Sequence, residues 1–177
     1  RSWDENDLQL WQKLSDPDEY TSEGELSWKQ PVPTKSLPDL LYNSKRIADG
    51  LPEPSKWNES GNRTGLVLGS VQSGKTASML GVSSIVLDRR VGYQILIVLG
   101  GHTENLRTQT LERFEVFQKI LRSEVHFPVR DDADLKNLEK KSRMKERRNK
   151  VETALGFLEN KKPVIFVVKK NTAALSG

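Results

Sequence analysis

The sequence contains no cysteine, which removes disulfides, thiolate metal sites and thiol nucleophiles from consideration. The compartment stays open on that count, because many cytosolic domains also lack cysteine. Histidine is scarce too. The two that occur, His102 and His126, stand far apart with no His-x-x-x-His partner, so the ligand spacing of a zinc site is missing. Long apolar runs are absent: "ILIVL" and "VIFVV" fall far short of the roughly 20 residues that span a bilayer. No charged-then-apolar leader opens the chain, so no membrane partner is expected. The first residue is Arg1 rather than Met, which fits a fragment or a processed chain.

What is present is polar and mildly basic. The 177 residues carry a formal charge of +4, a balance that permits contact with nucleic acid without demanding it. A chain of this length suits one domain with a real core, preceded by an arm. Residues 1–60 read as that arm. Its segments "SDPDEYTSEGELSWKQPVPTKSLPDL" and "GLPEPSKWNESGN" are crowded with turn residues, and "DLQLWQKL" and "PDLLYNSKRIADG" are candidates for short helices. Trp3, Trp11 and Trp28 are too apolar for a free tail, and either pin the arm to a core or meet a partner.

From residue 61 to 177 the pattern becomes strands alternating with helices. "GLVLGS", "YQILIVLGG" and "KPVIFVVKKN" are uniformly apolar, as strands of a parallel sheet covered on both faces are. Residues 74–88 predict a helix with Met79, Val82 and Val86 on its inner face, and Leu106, Thr110, Phe114, Phe117 and Leu121 mark the inner face of the next. Thr103 is placed to cap that second helix. Acids at Asp131, Asp132 and Asp134 precede a basic run from Lys140 to Lys150, the order a helix dipole favours. Val151, Leu155 and Leu158 then predict its docked end. The order predicts an α/β domain with right-handed crossovers.

The chemistry concentrates in "GSVQSGKT", Gly69, Ser70, Val71, Gln72, Ser73, Gly74, Lys75 and Thr76. Glycines let successive backbone N–H groups turn toward one anion, a lysine supplies mobile positive charge for outer phosphates, and a threonine hydroxyl can hold magnesium. A helix starting at Gly74 adds its positive end. The pattern predicts a site for ATP and Mg2+, with Lys75 and Thr76 as the catalytic pair and Thr76 as the metal ligand. The alternative at this point is an incidental glycine-rich turn. A second polar cluster, His102, Thr103, Asn105, Arg107 and Gln109, opens the helix after the second strand, where a sheet edge reads ligands and a nucleic-acid phosphate can be held. An ordinary capped loop is the competing reading. The basic helix is either a solvated face or a phosphate-backbone contact.

The two blocks together resemble the first two motifs of superfamily 2 helicases and restriction translocases, with Leu106 and Gln109 at the matching places. More closely, "GLVLGSVQSGKTASMLG", "ILIVLGGHTENLRTQTLERF" and "VIFVVKKN" resemble the N-terminal ATPase region of the Z-one-domain endonucleases, bacterial proteins associated with restriction and phage defence. That resemblance covers residues 64–121 and about 163–175. It implies a RecA-like P-loop NTPase lobe, a three-layer α/β domain with a mainly parallel sheet. It implies ATP and Mg2+ at Gly69–Thr76, and DNA or RNA at His102, Thr103, Asn105, Arg107, Gln109, Lys169, Lys170 and Asn171. Remaining lobes of the full-length protein would be partners, in the cytoplasm, and this stretch alone would turn ATP over slowly or not at all. The match departs from the family in lacking an acidic strand tip. Asp88 falls in the helix after the loop and lysines follow "VIFVV", so the acid-bearing strand is expected after Gly177. The rival readings are a phosphate-loop kinase or regulatory NTPase without a nucleic-acid role, and a non-catalytic interaction module built on the tryptophan arm.

Overall fold

The structure, a computed structural model, describes residue 4 and residues 8–16, 34–54, 65–68, 75–88, 91–120, 125–126 and 140–168. Contacts divide the chain into two compact units, Arg1–Tyr93 with Glu112–Leu121, and Gln94–Leu111 with Arg122–Gly177. The boundary expected near residue 60 lies outside the described residues, as do Trp3, Trp28 and the acids Asp131, Asp132 and Asp134.

The first unit is built on helices. Leu8, Leu10, Trp11 and Leu14 are buried along α1 (Gln9–Ser15), which is how the aromatic ring of Trp11 is absorbed. Helix α1 has no side-chain cap of its own. Asp88, just past α3 (Lys75–Val86), fills the role: its buried carboxylate accepts the Leu10 N–H at 3.2 Å and places negative charge at the positive end of the helix. Helix α2 (Leu37–Asp49) starts with Pro38 in its first turn and stops at Gly50, the asymmetry that helix ends favour. Leu40, Leu41, Ser44 and Ala48 form its buried stripe, packed on α3.

Helix α3 is apolar nearly all round, so its pattern does not select a face. The expectation that Met79 and Val82 turn inward is corrected accordingly, while Val86 is buried as expected. Met79 is exposed and Val82 half-buried, while Leu80, Ser83, Ser84, Ile85 and Val86 are buried. The helix comes close to α2 at Gly81, where a Cβ would stand 2.4 Å from Ser44 Oγ and 3.4 Å from Leu40 Cδ1. Glycine is there because the helices cross without room for a methyl group.

"GLVLGS" also departs from expectation. Residues 65–68 are not in a strand, and Leu66, Val67 and Leu68 are exposed. A strand exists only through its ladder partners, and these four residues have none among the described residues.

The second unit holds β1 (Ile95–Leu99) and β2 (Val164–Val168), paired in parallel with Ile95 opposite Val164 and Leu99 opposite Val168. His126 meets the other edge of β2: its N–H donates to Pro163 O and its carbonyl accepts the Ile165 N–H, each at 2.9 Å. Coverage on both faces, expected of these strands, is corrected. Val98 and Ile165 are buried on one face; on the other, Ile95, Ile97 and Leu99 of β1 are exposed, although Val164, paired with Ile95, is buried.

The helices between the two strands, α4 (Glu104–Ile120) and α5 (Lys140–Glu159), lie where the periodicity placed helices, but rotated. In α4 Arg107, Leu111 and Phe114 are buried, the last as expected, while Leu106 is exposed and Thr110 half-buried; the side chain of Phe117 and residue Leu121 lie outside the described residues. The rotation follows from the Gly100-Gly101 corner, where Cβ atoms would stand 2.8 Å from Arg107 Cα and Leu106 Cβ respectively. In α5 Ala154 is buried and Val151 and Leu155 are exposed. Phe157 stacks on His126, with ring centroids 4.5 Å apart at 27°, and that contact fixes which side of the helix faces in. The helix closes on Lys161, whose φ of 56° lets the Lys162 N–H reach Phe157 O at 2.9 Å, the bonding of a left-handed helix cap. Among the described residues no helix is long and apolar enough to cross a membrane.

Candidate functional site

The sequence pointed to two places, one in each unit. In the first unit Gly69, Ser70, Val71, Gln72, Ser73 and Gly74 lie outside the described residues, and α3 begins at Lys75, whose side chain is also outside them. Thr76 is described. It stands in the first turn of α3, half-buried, and its Oγ1 accepts a hydrogen bond from Arg113 Nη1 at 3.1 Å. The first turn of a helix also leaves backbone N–H groups without intrahelical partners, and both features are suited to an anion and its counter-cation.

Sequence reasoning missed Arg113. Thirty-seven positions separate it from Thr76, and an isolated arginine on an amphipathic helix carries no local signal that it will meet a particular hydroxyl. Asp88 was read as unavailable to a metal because of its place near a helix. The structure adds a physical reason: its carboxylate is buried and committed to α1.

In the second unit the parallel register brings the carboxyl ends of both strands to one edge, where the Gly100 N–H donates to Val168 O at 2.8 Å. From β1 the chain leaves through Gly101, whose φ of +104° is a conformation L side chains rarely adopt, and then passes His102 and Thr103 into α4. Thr103 Oγ1 accepts the Leu106 N–H at 3.3 Å, the expected cap. His102, Thr103, Asn105 and Gln109 are exposed, with Asn105 and Gln109 one helical turn apart. From β2 the chain leaves at the same edge toward Lys169, Lys170 and Asn171, which lie outside the described residues.

Arg107 does not join this group. It is 7% exposed, and its guanidinium donates to Glu104 Oε1 from Nε at 2.7 Å and again from Nη2. An arginine neutralised within its own helix and turned inward does not present charge to a phosphate in solvent. The polar segment was legible, but the rotation that buries Arg107 was not, since it depends on how closely Gly100 lets the helix approach.

His126 is the other titratable group with an unusual setting. Its Nε2 is buried without a hydrogen-bond partner, and burial lowers its pKa below the ordinary 6.5. Among the described residues no group of three or more His, Asp and Glu side chains gathers to hold a metal.

Comparison of the chain with protein-family models, curated proteins and solved structures finds no match in any of the three.

Proposed function

We propose that the chain carries the ATP-binding site of a nucleic-acid-directed motor, a phosphate-loop ATPase of the helicase-like kind found in Z-one-domain endonucleases, acting in the cytoplasm. The observation that carries this reading is the junction of "GSVQSGKT" with α3: the helix begins at Lys75, and Thr76 presents a hydroxyl from its first turn. The half-buried hydroxyl fits a magnesium ion that arrives with phosphates, because Mg2+ needs only one or two protein oxygens when phosphates and water complete its shell.

In this reading the amides of Gly69–Gly74 and the start of α3 hold the phosphates, Lys75 offsets their charge, and Thr76 orients the metal. ATP, once bound, supplies the phosphoryl group whose transfer to water drives the motor. DNA or RNA would meet the sheet edge in the second unit through His102, Thr103, Asn105 and Gln109. The basic run of α5 would contribute long-range attraction.

The first test compares Mg-ATP binding of the chain and of Lys75→Ala by calorimetry. The expected outcome is a loss of at least about tenfold, the size of a charged hydrogen-bonding contact; equal affinities would remove the phosphate-loop reading. The second measures binding to DNA and RNA against salt. Affinity that drops steeply with rising salt supports a motor, whereas ATP binding without any nucleic-acid binding favours a kinase or regulatory NTPase.

A further inference from the structure

The hydroxyl that the phosphate-loop reading gives to magnesium already has a cationic partner. Arg113 Nη1 donates to Thr76 Oγ1 at 3.1 Å, both residues belonging to the first unit. Arg113 is exposed, and among the described residues no carboxylate is paired with it. Glu112 and Glu115 stand one and two positions away, spacings that do not face each other on a helix. A planar guanidinium with an uncommitted charge is therefore held against one hydroxyl.

We propose that Arg113 is a placeholder for the divalent cation: it occupies Thr76 Oγ1 until magnesium enters with a nucleotide, and it competes with magnesium for that oxygen. The inference rests on the phosphate-loop reading and names a regulatory residue for it. A magnesium ion takes its oxygen ligands at about 2.1 Å. With the guanidinium nitrogen on the same oxygen, charges of +2 and +1 would stand within about 5 Å, an unfavourable pair. A magnesium ion held by Thr76 would therefore require Arg113 to leave that oxygen. Arg113 is a positioning residue here, acting on the threonine rather than on the reacting atoms.

The test is ATP binding by the full chain, followed by calorimetry across a magnesium titration, for the wild type, Arg113→Ala, Arg113→Lys and Lys75→Ala. In Arg113→Ala the magnesium concentration giving half-maximal ATP affinity should fall roughly threefold to fivefold, as expected for removal of an exposed charge contact. Arg113→Lys keeps the charge and should stay within about twofold of the wild type. An unchanged or raised midpoint in Arg113→Ala overturns the proposal while the phosphate-loop reading survives, provided Lys75→Ala loses ATP. An equal shift in Arg113→Lys also overturns it, because loss of packing around Thr76 then explains the effect. If the wild type binds no ATP at any magnesium concentration, or Lys75→Ala binds it equally well, both readings fall.

Discussion

The contact of α2 with α3 is so close that Gly81 has no room for a methyl group, whereas one face of the β1–β2 sheet leaves Ile95, Ile97 and Leu99 in solvent. Both regions are rich in apolar side chains. The difference lies in what each element needs before it can bury them. A helix satisfies its backbone internally, so two helices need only complementary stripes to pack. A strand must first find a ladder, and then each face needs a separate cover. Where β1 carries Ile95, Ile97 and Leu99 on that face, apolar sequence exceeds the surface offered to cover it.

The sharpest way to break this contrast is to truncate the two faces in turn. Ile165 is fully buried, and Ile165→Ala should cost about 3 kcal/mol through lost transfer energy and the cavity left behind. Ile97 is 61% exposed, and Ile97→Ala should cost less than about 1 kcal/mol, mostly strand preference. Amide hydrogen exchange in β1 and β2 would report both. A cost at Ile97 equal to that at Ile165 would mean that the face is covered in solution, and the contrast would vanish.

This split also explains what was legible in the sequence. The strands at Ile95–Leu99 and Val164–Val168, the helix after "GSVQSG" and the Thr103 cap are local patterns of period or chemistry, and local patterns survive folding when nothing opposes them. The contacts that decide the candidate sites are not local. The Asp88 carboxylate reaches Leu10 across 78 positions and Arg113 reaches Thr76 across 37, and no spacing rule predicts either. By residue type and place Arg107 reads as a ligand-facing cation, yet its rotation is set by the absence of a side chain at Gly100. Leu66, Val67 and Leu68 carry strand-like composition and form no strand among the described residues, since composition does not supply a partner.

A smaller effect tests the tight side of the comparison. Gly81→Ala gains about 1 kcal/mol of helix preference but drives its Cβ to 2.4 Å from Ser44 Oγ, an overpacking cost of roughly 1–3 kcal/mol. A net loss of about 1 kcal/mol is expected in urea denaturation followed by circular dichroism. Ser44 holds a buried hydroxyl with no hydrogen-bond partner among the described residues, so Ser44→Ala alone should be neutral or stabilising. In that background the remaining contacts at position 81 are 3.3 and 3.4 Å, and Gly81→Ala should change sign and stabilise. Additive effects of the two substitutions would show that the hydroxyl is not what excludes the methyl group.

The smallest effect concerns His126, which the second unit accommodates as a neutral ring. Burial lowers its pKa below 6.5 in the folded chain, while its Nε2 has no acceptor to receive a proton's hydrogen bond. The unfolded chain therefore binds the proton more readily. Stability contributed by the neutral ring is complete above about pH 6.5, and it is lost as pH falls through the depressed folded value. The affected contacts are the Phe157 stack and the backbone bonds of His126 to Pro163 and Ile165, so the loosening should appear first at the beginning of β2. Every other titrating group cancels in the difference between the wild type and His126→Phe from pH 7.5 to pH 5, which is the measurable quantity. Hydrogen exchange at Val164 and Ile165 should accelerate in the wild type relative to the variant across that interval. Parallel pH dependence in the two proteins would mean that His126 titrates as freely in the folded chain as in the unfolded one, and that its burial carries no electrostatic cost.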